Sequence, residues 1–200
     1  MPKWLKISLI FLVTAGLIVQ ISPLIIMSIS LISSKIEVYE DVASYKKYLA
    51  GSDNKWNKWD QDVSIWPREI ADSMKVLDYR MVYYNPWDAQ YLGYLSAEYD
   101  PEAYKEEIAR LKAYESTEYA GIYSVKKEQT HDLLAIHADP YHGFVYAFAN
   151  GDNKIVYAEQ IFCNYMLDLD YKKYIPKEYM LDGFDASSNN PYRKQMMNNN

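Results

Sequence analysis

The chain has 200 residues, half of them hydrophobic, with 27 acidic against 21 basic side chains and a net charge of −6. Three basic residues and no acidic ones fall among the first 35, so the remainder is more acidic than the whole; such a surface repels phosphate backbones and argues against a nucleic-acid partner. A single cysteine, Cys163, leaves no internal disulfide, so a domain outside the cytoplasm would be held by its core alone.

Lys3 and Lys6 precede a run from Ile7 to Ser34 that carries no charged side chain. About 20 apolar residues in a helix cross a hydrocarbon core of about 30 Å, so residues 7–34 are expected to span the lipid bilayer with some tilt. The hydroxyls of Thr14, Ser22 and Ser28 can bond back to the helix. Pro23 predicts a kink, and Trp4 stands where an interfacial anchor belongs. Two readings compete. One is an uncleaved signal-anchor helix; the other is a signal peptide cleaved near Ser28-Ile29-Ser30, which would release a secreted protein. The run is too long for an ordinary signal peptide, which favours the anchor. Lysine bias, by a margin of about one charge, puts residues 1–6 in the cytoplasm and residues 36–200 outside it.

Residues 35–182 read as one domain of ordinary size. A helix is expected from about Asp41, where Val42, Tyr45 and Leu49 recur at helical spacing and Gly51 ends the run. Residues 52–62 read as a loop holding Trp56 and Trp59, and residues 64–67 as extended before Pro67. Val76 to Tyr84 alternates, with Leu77, Tyr79, Met81 and Tyr83 on one face. Asn85-Pro86-Trp87-Asp88 reads as a turn. Gln90 to Tyr99 follows as a second strand, with Tyr91, Leu95, Ala97 and Tyr99 on one face, giving an antiparallel hairpin. Asp100-Pro101-Glu102 announces a helix to about Glu115, capped by Asp100. Its stripe is Tyr104, Ile108 and Leu111, with Glu106 and Arg110 as an outer i,i+4 pair.

Strands are also expected over 119–126, 133–138, 143–149 and 154–163. The last two are joined by Asn150-Gly151-Asp152-Asn153, where Asn-Gly suits positive φ. A helical turn is expected around Ile175-Pro176, and a disordered tail over 183–200. The order gives an α+β fold: an antiparallel sheet with one or two helices on one face, preceded by a single transmembrane helix. The 21 tyrosines suit a half-buried sheet whose other face is wet, or a display surface for carbohydrate or peptide.

The segments Ile65-Trp66-Pro67, Tyr83-Tyr84, Tyr91 to Tyr99 and Glu107-Ile108-Ala109-Arg110-Leu111 carry a resemblance that spans roughly residues 38–180. So do Tyr146-Ala147, Ile155-Val156-Tyr157 and Tyr174-Ile175-Pro176-Lys177-Glu178-Tyr179. Together they resemble a loose group of small membrane-anchored or secreted proteins of Gram-positive bacteria. The resemblance implies compartment and domain type only.

Candidate chemistry is sparse. His131, His137 and His142, beside Asp132 and Asp139, offer zinc-type ligands. Their spacings of six and five residues fit neither a helical i,i+4 pair nor a finger. Cys163 sits in an apolar strand context, where cysteine behaves as a small hydrophobe. Asp132, Asp139 and Glu159 could pair as in a glycosidase. No Gly-x-Ser-x-Gly elbow or Gly-rich phosphate loop is present, and no cofactor is implied. Loop aromatics are the better binding candidates: Trp59 and Trp87, with Tyr91 beside them. The sequence therefore reads as a membrane-tethered extracytoplasmic binding module for an envelope protein or cell-wall component. The alternative is a metal-dependent or carboxylate-based hydrolase using the His131–His142 segment.

Overall fold

A computed structural model describes residues 2–49, 63–117, 132–164 and 167–181, with 187, 189–191, 193 and 194. The expected strand at 119–126, the loop with Trp56 and Trp59, and His131 lie outside the described residues.

Helix α1 (Lys3–Ser33) runs unbroken through Pro23. Thr14 and Ser28 donate to the carbonyls of Ile10 and Leu24, at 2.9 and 2.8 Å, so their hydroxyls are satisfied within the helix. Its apolar side chains are exposed along its length, and it is long and apolar enough to cross a membrane.

After three residues the chain enters a sheet, which among the described residues is six-stranded and wholly antiparallel. Its strands are β1 (Glu37–Tyr39), β2 (Met74–Tyr84), β3 (Gln90–Tyr99), β4 (Asp132–Asp139), β5 (Gly143–Ala149) and β6 (Lys154–Ile161), in the spatial order β1-β2-β3-β6-β5-β4. An α+β architecture follows from this sheet and the helices around it. Strand β1, just ahead of the helix expected from about Asp41, was not expected; three residues are too few to show a period. The Asp41 carboxylate then accepts from the Ala43 amide, opening a 3-10 turn that leads into the short helix α2 (Tyr45–Leu49). Residues 63–65, expected to be extended in part, form another 3-10 turn.

The β2–β3 hairpin departs from simple alternation at one point. Its register slips between Val76 and Asp78, and Leu77 is exposed there rather than facing the core. A bulge adds one residue and so swaps which parity faces inward. Met74 and Val76 therefore join Tyr79 and Met81 in the same core.

Each face of the sheet carries a core, so the expected wet face is absent. Alternate residues of β3 divide between them, because successive side chains point to opposite faces. Tyr91, Leu95 and Ala97 pack with Tyr45 and Tyr48 of α2, Ile65, Trp66, and Leu111 of α3 (Pro101–Lys112). Leu92 and Tyr94 pack on the other side with Phe144, Phe148 and Phe162, under Ile175 and Leu181. The segment that supplies this cover contains two 3-10 turns, Tyr171–Lys173 and Lys177–Tyr179, on either side of the expected Ile175-Pro176.

Two side-chain expectations in α3 change. Pro101 takes the first helical position, but the Asp100 side chain makes no capping bond. Arg110 pairs with Glu107 rather than Glu106. It grips both Glu107 carboxylate oxygens at 2.7 Å and reaches the Ser64 and Ile65 carbonyls, fastening the 64–67 segment to the helix. In the β5–β6 turn, Gly151 and Asn153 take the positive φ, not Asn150; the loop is longer than a two-residue turn. Within the stretch expected to be disordered, Asn190 and Arg193 are buried.

A candidate binding cleft at the helix end of the sheet

The antiparallel order brings three connections to one end of the sheet: the β2–β3 turn at 85–89, the β4–β5 turn at 140–142, and the exit of β6 at 162–164. They enclose a cleft of about 310 Å³ whose wall includes Trp87, Asp88, Tyr141, His142, Phe162 and Asn164. A cleft of this size is at the small end of ligand pockets.

Helix α1 ends beside it. The Ser30 hydroxyl donates to the Pro86 carbonyl, and the Ser34 hydroxyl donates to the Asn85 carbonyl at 3.2 Å. Glu37 of β1 is paired with Tyr83, just before the turn. The cleft thus opens at the end of the domain nearest the apolar helix.

Each wall is held by a local device. In the β4–β5 turn, Asp139 Oδ1 accepts from the Tyr141 and His142 amides at 2.8 and 2.7 Å, a side-chain turn of the kind aspartate favours. The same oxygen lies 3.0 Å from His142 Nδ1. That contact places the proton of a neutral imidazole on Nδ1 and the lone pair on Nε2. Gly143 follows with φ of 120°, and a Cβ there would lie 2.2 Å from the Gln160 carbonyl oxygen. Only glycine lets β5 start this close to β6.

Asp88 binds the opposite wall. Its Oδ1 accepts from the Cys163 thiol at 3.0 Å and its Oδ2 from the Asn164 amide at 2.6 Å. The Asn164 side chain donates to the Tyr141 carbonyl at 2.6 Å, tying the two walls together. Beneath them, Asp168 accepts from the Cys163 amide, from Gln90 Nε2, and from Arg193 at 2.5 Å. Arg193 also donates to the Cys163 carbonyl and lies 4.6 Å from the Phe162 ring centroid. Burial pushes the Asp168 carboxyl above its ordinary range, and the Arg193 charge opposes that shift.

The sequence candidates are distributed unevenly over this arrangement. Trp87, 63% exposed, and His142 line the cleft. Tyr91 is 1% exposed and packs against Tyr83 in the core, so it presents no surface to a ligand. His137 sits in mid-strand opposite Val145, two rows from the turn that holds His142. Among the described residues, no group of three or more His, Cys, Asp or Glu side chains converges as metal ligands would. Asp132 and Asp139 stand at opposite ends of β4. A strand rise of about 3.3 Å per residue sets them about 23 Å apart, far beyond the roughly 5–9.5 Å of glycosidase pairs. Glu159 is fully buried.

The Cys163 thiol faces a carboxylate. A thiolate nucleophile needs the opposite, an electropositive and partly exposed setting. The cleft combines aromatic walls with a few fixed polar groups, and no nucleophile–base pair occurs among the described residues that line it. Sequence reasoning missed Asp88, Tyr141, Phe162 and Asn164. The run Asp139-Pro140-Tyr141-His142-Gly143 carried a usable turn signal, whereas Phe162 and Asn164 carried none.

Comparison with protein-family models, with curated proteins and with solved structures finds no match, so the reading of this cleft stands on its own residues.

Proposed function

We propose that this protein is a membrane-tethered, extracytoplasmic binding module without catalytic chemistry, and that the cleft at the helix end of its sheet is the binding site. Its ligand is an envelope protein or cell-wall component. The observation that carries the reading is the meeting, at one end of the fold, of an apolar 31-residue helix and a cleft with an exposed tryptophan in its wall. Tryptophan is among the residues most often dominant in binding energy. The surrounding wall offers both apolar area, from Trp87 and Tyr141, and directional groups, from His142 and Asn164.

The test uses the full-length chain with a C-terminal tag in intact cells, treated with a cross-linker. A discrete product is expected, with its yield sharply reduced by Trp87→Ala and by His142→Ala but unchanged by Leu77→Ala, a change at the exposed bulge. External protease should remove the tag. Equal capture by all three variants would reject the cleft as the site, and a protected tag would reverse the orientation.

A further inference from the structure

Six large apolar side chains outside α1 are well exposed among the described residues: Ile36, Val38, Leu77, Trp87, Tyr141 and Leu167. Surface apolar residues scattered singly need no explanation; clustered ones do. Here all but Leu77 fall at the helix end of the sheet. Ile36 and Val38 follow α1 directly. Trp87 is in the turn bonded to Ser30 and Ser34 through its neighbours Pro86 and Asn85. Tyr141 is in the adjoining turn, joined to Asn164. Leu167 precedes Asp168, which is bonded to Cys163 and to Gln90 at the start of β3. The opposite end of the sheet has no comparable cluster among the described residues.

The helix supplies the level at which this cluster lies. Thirty-one residues span about 46 Å of helix, about 16 Å more than a hydrocarbon core of about 30 Å. The last turns can therefore stand in the headgroup layer, and the β2–β3 turn is bonded to just those turns. Tryptophan and tyrosine favour that layer, because each combines an apolar ring with a polar edge. Resting on the membrane reading of α1, we propose that this end of the domain is seated in the lipid headgroup layer, with Trp87, Tyr141 and Leu167 as its contacts. The cleft then opens at headgroup depth. The acidic neighbours Glu37 and Asp88 give no attraction to anionic lipid, so the seat rests on its apolar side chains.

Full-length protein reconstituted in phosphatidylcholine vesicles tests this. A fluorophore is attached through Trp87→Cys, Tyr141→Cys, Leu77→Cys or Ile18→Cys, one position at a time; Cys163 is buried, and unsubstituted protein checks that it stays unlabelled. Labels at 87 and 141 should be quenched by headgroup spin-labelled lipid and should lose quenching by an aqueous quencher. The label at 77 should behave in the opposite way. The label at 18 should respond only to lipid spin-labelled along the chain.

If 87 and 141 are as accessible to the aqueous quencher as 77 while 18 is in lipid, the seating is wrong and the anchor stands. If 18 is also accessible to water, the membrane reading itself fails. Protection at 87 and 141 without lipid quenching, growing with protein density, would mean a second copy covers the surface and would overturn the proposal.

Discussion

Tyr79 and Tyr157 belong to the same core and differ in what their hydroxyls meet. Tyr157 donates to Glu107 at 2.5 Å and shares a 2.6 Å bond with Tyr99. The Tyr79 hydroxyl and the Trp66 indole N–H are buried with no partner among the described residues. An orphaned polar atom carries its desolvation cost with nothing to offset it, whereas a paired one contributes about 1 kcal/mol. Tyr79→Phe is therefore expected to leave stability unchanged or raise it by up to about 1 kcal/mol. Tyr157→Phe should lower it by about 1–2 kcal/mol, since Glu107 and Tyr99 lose a common partner. Denaturant titration of both variants checks the pair; a larger loss from Tyr79→Phe would contradict the geometry. The alternation of β2 placed the Tyr79 ring on one face with Tyr83 and Met81, and Tyr157 fell within an expected strand. The sequence could not show which hydroxyl finds a partner, because Glu107 arrives from α3 across the sheet face.

At the level of elements, legibility follows length and period. Strand β3 was readable because ten residues alternate between two cores. Strand β1 was not, with Glu37 and Tyr39 flanking one valine. The Leu77 bulge depends on where β3 lies beside it, so β2 taken alone put Leu77 on the wrong face. Half of the cleft was visible as turn residues. The rest arises because the sheet order sets β6 between β3 and β5, bringing residues 88, 142 and 164 together from three connections. Asn190 and Arg193 are the clearest case of hidden structure. The composition around them is polar, yet Arg193 is 4% exposed and bound to a buried carboxylate. Removing one partner of a buried ion pair strands the other charge at a cost of about 3–5 kcal/mol. Arg193→Ala should therefore destabilise the domain by about 3 kcal/mol and loosen the Phe162–Asn164 wall. Thermal melting and protease sensitivity at residues 162–168 measure it, and unchanged stability would refute the latch.

For the whole molecule, the tyrosines set the alkaline limit. Burial raises the hydroxyl pKa of Tyr45, Tyr79, Tyr94, Tyr99, Tyr146 and Tyr157 above the ordinary value near 10. A folded-state pKa above the unfolded one contributes stability that is full below about pH 10 and is lost as pH rises past it, because only the unfolded chain releases those protons. Tyrosinate absorbance should therefore appear in two stages, with exposed rings ionising first and the buried ones together with cooperative unfolding. A single smooth titration with the fold intact would show that the rings are wet. The three residues between α1 and β1 carry a consequence of another kind. They extend at most about 10 Å, and Ser30 and Ser34 fasten the hairpin to the helix as well. On the membrane reading, such a domain has almost no reach. A ligand held at a distance cannot be fished for, whereas one confined to the same plane meets the cleft by lateral diffusion at a raised effective concentration. Inserting a flexible stalk after Ser34 would exchange that two-dimensional encounter for a three-dimensional search.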